Sequence, residues 1–358
     1  MTMRRIRWLD LGTVPALRSQ TVYHAVAHAM TEATPDTIIL VSPAQPYVCI
    51  GYHQDLDKEV DRAFCQAHNL PVFRREVGGG AVYLDQGQIF TQWIFHKDHL
   101  PLKLEHQFDL YIRPLVQTYQ ALGIEAYYRP VNDIHVSGKK IGGTGAAQIG
   151  AAQVVVGSLM FDFDKATMAR VLKVASEKMR DKIFESLAQY MTTMRDLLDP
   201  LPDRSMVKAL YLQKCAEGLE ADIVPGEWTA AEEAVAVELD RRFTSEAWLF
   251  QKGGLRQKGV KIHQDVRVVE AAFKAPGGLI RVTVRFHEGQ IDDLTLSGDF
   301  TLLPAFGLGA LEQAVRGLSA TRDLLIMRLQ EVYRSLSLQS PGLTPEHFAE
   351  AILLAENG

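Results

Sequence analysis

"NDIHVSGKKIGGTGAAQ", residues 132–148, decides how this 358-residue chain is read. Asn132-Asp133 opens a β-rich run, Lys139-Lys140 follows, and glycines at 142, 143 and 145 leave almost nothing bulky before Gln148. Such a loop lets main-chain N–H groups close on a ligand while an ammonium stands beside it, although the same composition suits a flexible hairpin. A Walker P-loop is excluded, because position 133 is Asp and Gly138-Lys139 is followed by Lys140 rather than Ser or Thr. Gly143-Thr144-Gly145 begins like a dinucleotide fingerprint, with Asp162 near the offset of a ribose contact. However, Gln148 stands where the third glycine belongs, and "AAQVVVGSLMF" continues as a strand instead of a helix. What remains is a strand lysine entering a glycine-rich loop. Side chains alternate along a strand, so only one of the two lysines enters a pocket.

Upstream, "PVFRREVGGGAVYLDQGQIFTQWIF" (71–95) joins a strand to the triplet Gly78-Gly79-Gly80 and then to an aromatic-rich β-run. The triplet permits positive φ and close approach of a ligand to the main chain, or forms a plain hairpin turn. Arg74 and Arg75 point to opposite faces, so one is expected to meet a pocket and the other solvent or a carboxylate. Lys140 would stabilise negative charge on an α-phosphate or acyl oxygen, and Asp133 would hold a divalent metal bridging phosphate oxygens.

Around these motifs the chain has an ordinary globular composition, 47% hydrophobic and 23% charged, and its net charge of -5 gives no support to nucleic-acid binding. No run of about 18 apolar residues suggests a membrane span, and the N-terminal 20 residues lack the apolar core of a secretory signal. Cys49, Cys65 and Cys215 are odd in number and scattered, which fits a reducing cytoplasm better than a disulfide or zinc framework. Periodicity predicts helices over 16–30, 58–69, 106–123, several across 165–220, and 229–243. Strands are predicted at 37–42 and 47–53 and on both sides of the quoted loop. Two further strands, hinged at Glu288-Gly289, precede two or three closing helices. A boundary near 225–255 therefore divides the chain into units of 1–240 and 241–358.

"RREVGGGAVYLD" (74–85), followed about 50 residues later by "NDIHVSGKKIGG" (132–143), resembles the paired signature of the lipoate-protein ligases, within the wider biotin/lipoate ligase fold. "CIGYHQD" (49–55) and the segment from Leu279 onward extend the resemblance over nearly the whole chain. It implies an α+β fold, with a catalytic domain of mixed β-sheets flanked by helices and a small α+β accessory domain after it. The implied reaction joins lipoate and ATP, with Mg²⁺, into lipoyl-adenylate and pyrophosphate. A lysine of an acceptor, either a lipoyl domain or a glycine-cleavage H-like protein, then attacks the adenylate. The resemblance further implies that Lys140 is catalytic, touching the acyl carbonyl and α-phosphate. Arg75, Gly78, Gly79, Gly80, Gly143, Thr144 and Gly145 would line the acyl-adenylate channel. Val82, Tyr83, Asn132, Asp133 and Ala146 would bind ATP, with Asp133 also on the metal and Lys139 structural.

Several positions depart from the family pattern. Leu84 and Val156 replace common histidines, Val77 replaces a serine or threonine, and Ala147-Gln148 stand where a basic residue is frequent. These changes make the pocket more apolar and leave Asp133 or the acceptor's surroundings to manage the proton. A cysteine-dependent octanoyl- or lipoyl-transferase is the main rival, with Cys49 its best-placed thiol. A non-catalytic lipoyl- or nucleotide-binding homologue is the other.

Overall fold

The structure is a computed structural model and describes residues 4–253 and 266–356. Its main sheet runs Gly145–Ile149, Ala152–Met160, Gln88–His96, Thr37–Pro43, Arg4–Val14, Ala221–Pro225, with the last three strands parallel and the others antiparallel. Every residue of Thr37–Pro43 is buried, which explains its continuous apolar stretch Ile38–Val41: helices cover both faces. Ile38 and Leu40 face Phe108, Tyr111 and Leu115 of the helix Leu104–Ala121. Ile39 and Val41 face Val22, Tyr23 and Val26 of the helix Ala16–His28. Each such side chain contributes about 1.5–3 kcal/mol on burial, so this two-sided core anchors everything attached to it.

The two motifs ride on smaller sheets: Val72–Arg74, Tyr47–Ile50 and Val82–Leu84 form one, and Ala126–Arg129, Asp133–Val136 and Lys139–Gly143 the other. A fourth sheet, Val266–Ala275, Gly278–His287 and Gln290–Gly298, packs under the helices Gly307–Ala314, Arg322–Ser335 and Pro345–Glu356, with a core of its own that includes Val282, Leu294, Leu325 and Phe348.

Local signals located many elements. Thr229 and Glu232 form the capping box that starts the helix Ala230–Phe243, and Glu288-Gly289 turns with φ of 50° and 76° between paired strands. The single helix expected over 58–69 is two, Leu56–Glu59 and Arg62–Ala67, because Val60 extends to pair with Leu172 and Asp61 caps the second. The strands Arg4–Val14, Ala126–Arg129, Ala221–Pro225 and Val266–Ala275 were not anticipated. Arg4–Val14 pairs on one side with Thr37–Pro43 and on the other with Ala221–Pro225, more than 200 residues away, where local periodicity carries no signal.

Candidate functional site

The lysine motif forms a two-residue hairpin, with Ser137 and Gly138 at φ of 49° and 82°. Its register sets His135 opposite Lys140 and Asp133 opposite Gly143, with a bulge between Ile134 and His135. Asp133, His135 and Lys140 therefore share one face, while Lys139 is exposed on the other. Lys140 Nζ lies 2.7 Å from Asp133 Oδ1, and the two side chains are 39% and 29% exposed. An ion pair this open adds little stability and leaves the ammonium free to meet a ligand. A Cβ on Gly143 would fall 2.9 Å from Lys140 Nζ, so glycine is what lets the ammonium fold back onto its own strand. The Lys140 carbonyl accepts from Thr192 N–H at 2.9 Å.

Asn132 and Thr144 close the hairpin's open end. The Thr144 N–H and hydroxyl both donate to the Asn132 carbonyl, at 2.9 and 3.1 Å, and the Asn132 amide donates to the Thr144 carbonyl. The buried imidazole of His135 lies 3.8 Å from Asp133 Oδ2, a neighbour of the pair that sequence reasoning passed over.

The glycine triplet is built differently. Only Gly79 has a positive φ, 90°. Arg75 lies beneath the triplet, donating to the carbonyls of Cys49 (3.1 Å), Gly78 (2.9 Å) and Gly80 (2.8 Å). Arg74 is fully buried and donates to the carbonyls of Gly51, Tyr52 and Gln54 at 3.2, 2.9 and 2.7 Å, and to that of Leu249 at 2.7 Å. The expectation that one arginine meets solvent or a carboxylate is thus corrected: both are buried and both serve main-chain carbonyls. Inward-turned carbonyls need donors, and a guanidinium offers five in a rigid fork. Burial lowers the Arg74 pKa to about 10.

His24, also unforeseen, ties this strand to the first helix. Its Nε2 accepts from Glu76 N–H at 3.1 Å while Nδ1 lies 2.7 Å from the Gln20 carbonyl, so the ring is neutral with its proton on Nδ1. Burial pulls its pKa down to about 4. Burial alone would raise the Glu76 carboxyl, but the hydrogen bond from His28 and the positive side chains beside it, Arg242 among them, bring it down to about 2.

The two motifs meet. Gly78 N–H donates to the Ala146 carbonyl at 3.4 Å, and a Cβ on Gly145 would lie 2.6 Å from Val77 Cγ1. From the other side, Gly79 N–H donates to the Phe300 carbonyl at 3.1 Å, and a Cβ on Gly80 would touch Asp299 Cβ at 3.5 Å. The C-terminal unit therefore reaches the triplet. Gly145 and Ala146 meet the triplet directly, and Asn132, Asp133, Lys140, Gly143 and Thr144 lie on the hairpin that leads into them. Val82 and Tyr83 continue past the triplet: Val82 pairs with Cys49, and Tyr83 packs with Val48 and Ile50 while bordering an acidic hollow of about 440 Å³ with Asp85, Asp162 and Asp164.

All three cysteines are free and buried. Burial raises the thiol pKa of each, with Cys65 reaching about 11, which removes the thiolate a nucleophile requires. Among the described residues no three His, Cys, Asp or Glu side chains cluster as a metal cage. A Mg²⁺ carried by nucleotide phosphates needs only one or two carboxylates, and Asp133 fits that demand. Among the described residues no helix is long and apolar enough to cross a membrane.

Comparison with known proteins places this geometry. Residues 16–216 match the model of the lipoyl protein ligase A/B catalytic domain. The chain is 26% identical to lipoate–protein ligase 1 of Staphylococcus aureus over 76% of its own length and 78% of the relative's. It is 27% identical to the octanoyltransferase LipM of Kyrpidia tusciae, over 70% and 100% of the two chains. A solved bi-partite lipoate protein ligase from Thermoplasma acidophilum, described with its E2 lipoyl domain, superposes with a TM-score of 0.63 at 25% identity, covering 73% of this chain and all of that one.

Proposed function

The chain belongs to the lipoyl protein ligase A/B catalytic-domain family, and from that premise we propose that it is an ATP-dependent lipoate ligase acting on a lysine of an acceptor protein. The reading is supported by one observation: the half-exposed Lys140–Asp133 pair lies on the hairpin that continues into Gly145-Ala146 at the glycine triplet, while every thiol is buried and its pKa raised. A cysteine transferase needs the reverse arrangement.

In the first step a lipoate carboxylate oxygen attacks the α-phosphorus of ATP, and the bond to the β-phosphate oxygen breaks as pyrophosphate leaves. Lys140 offsets the charge accumulating on the α-phosphoryl oxygens, and Asp133 would hold a Mg²⁺, which would neutralise part of the phosphate charge. In the second step the neutral amine of the acceptor lysine attacks the acyl carbonyl carbon. The carbon–oxygen bond to AMP breaks, the amide forms, and the amine's surplus proton leaves to the AMP phosphate or water. Lys140 serves this step too, through the same acyl carbonyl. The acceptor is a lipoyl domain or an H-like protein, in line with the lipoyl domain described with the Thermoplasma ligase. We assign residues 1–240 to this chemistry, 241–358 to an accessory role, and the cytoplasm as the compartment suited to three free thiols.

Mass spectrometry of either acceptor, incubated with the protein, Mg²⁺ and lipoate or octanoate, tests the proposal. Acylation that requires ATP is the expected result. Acylation from an octanoyl-carrier thioester without ATP would establish the transferase reading instead, which the match to LipM keeps in view.

A further inference from the structure

The nucleotide site assembled by residues 75–146 is short of positive charge. A nucleoside triphosphate brings several negative charges, yet Arg74 and Arg75 are buried and bonded to main-chain carbonyls. Lys140 already shares Asp133, and Ala147-Gln148 add no cation.

The C-terminal sheet lies across this gap. On its face toward the N-terminal unit, Glu270 of the strand Val266–Ala275 receives Lys58 at 2.9 Å, and Arg281 of the neighbouring strand reaches Glu59 at 2.6 Å. Side chains two apart along a strand share a face, so Glu270, Ala272 and Lys274 form one row on that side. The row ends beside Asp299, whose Cβ is the nearest atom to the Cβ position of Gly80. Lys274 Nζ lies 3.9 Å from Asp299 Oδ2, with its side chain 69% exposed. At that distance the carboxylate steers the ammonium without hydrogen-bonding it. Lys58 and Arg281 are held by close carboxylates, whereas Lys274 is largely exposed beside Asp299, the residue that borders Gly80.

We propose that Lys274 is a nucleotide-binding residue supplied by the C-terminal unit, contacting the β- and γ-phosphates that leave as pyrophosphate. Lys140 then stands beside Gly143, just before the Gly145-Ala146 stretch that meets Gly78, and Lys274 beside Asp299, which borders Gly80. A lysine suits this place because its ammonium is a compact charge on a flexible stem that follows a moving polyphosphate. The inference rests on the ATP-dependent reading of the same site.

Binding of ATP and of AMP to the full chain by calorimetry, together with lipoate-dependent ATP–pyrophosphate exchange, tests it. K274A should weaken ATP binding and raise the KM for ATP by about tenfold, the loss of one charged contact, while AMP binding stays as in the wild type and K274R restores most of the effect. K58A, which loosens the same seam away from the triplet, should leave ATP affinity unchanged. Unchanged ATP binding in K274A, an equal loss for AMP, or the same defect in K58A overturns the assignment while the ligase reading stands on wild-type exchange. Absence of ATP binding and exchange in the wild type overturns both.

Discussion

The two halves of the site hold their ligand-facing atoms by opposite means. Beneath the triplet, two buried arginines donate to seven carbonyls between them, and His24 pins the adjoining strand. On the lysine hairpin the key charge is a half-exposed ammonium with one carboxylate partner. On the proposed ligase reading the difference separates shape from chemistry: a cradle for a polyanion must keep its main chain in place between turnovers, whereas a charge that serves both steps must stay free to move. Loss of the first should therefore appear as lost stability and loss of the second as lost rate.

Arg74→Met should have the largest effect, on the order of 4 kcal/mol in urea unfolding, because it strands four inward carbonyls. A change below about 1 kcal/mol would mean that these bonds do not hold the cradle. Lys140→Ala should slow lipoate-dependent adenylation by about 10²–10³-fold with unfolding stability almost unaltered, since one oriented charge acts on the reaction while an exposed pair adds little to the fold. Near wild-type acceptor lipoylation by that variant would remove Lys140 from the mechanism.

Acid should separate the halves next. His24 drops to about 4 and His53, buried against Phe300, to about 3, both from an ordinary 6.5 and both chiefly through burial, with the charge of Lys252 adding to the shift at His53. Their folded pKa values lie below the unfolded ones, so the unfolded chain takes up protons first. The contribution is complete above about 6.5 and is lost as pH falls toward 4 and then 3, at up to about 1.4 kcal/mol per pH unit for each ring. Hydrogen exchange at Gly78–Gly80 should accelerate over that window while the core strand Thr37–Pro43 keeps its protection; uniform acceleration would contradict the comparison. The smallest effect belongs to Lys139→Ala, within about 0.5 kcal/mol and with unchanged exchange kinetics, because its side chain points away from Asp133. A rate loss there would break the assignment of faces.

How much of this was legible beforehand follows from where each signal resides. The capping box at Thr229, the turn at Glu288-Gly289 and the alternation separating Lys139 from Lys140 are local, and each stands where it was expected. The partners of Arg74 were not legible, because Leu249 lies 175 residues away and a carbonyl leaves no mark in the sequence. His24 was missed for a related reason, since Glu76 is 52 residues away, whereas the Asp133–His135 pairing was open to the same strand alternation that separated the lysines.

From the sequence alone one could read the class of fold, the two motifs and that the paired lysines face opposite ways, since glycine spacing, hydrophobic period and strand alternation act over a few residues. Only the tertiary structure decided that both arginines serve the backbone, that the thiols are out of reach, and that the sheet carrying Lys274 meets the triplet. Those outcomes depend on which distant surfaces bury one another, and burial is a property of the packed chain rather than of any segment in it.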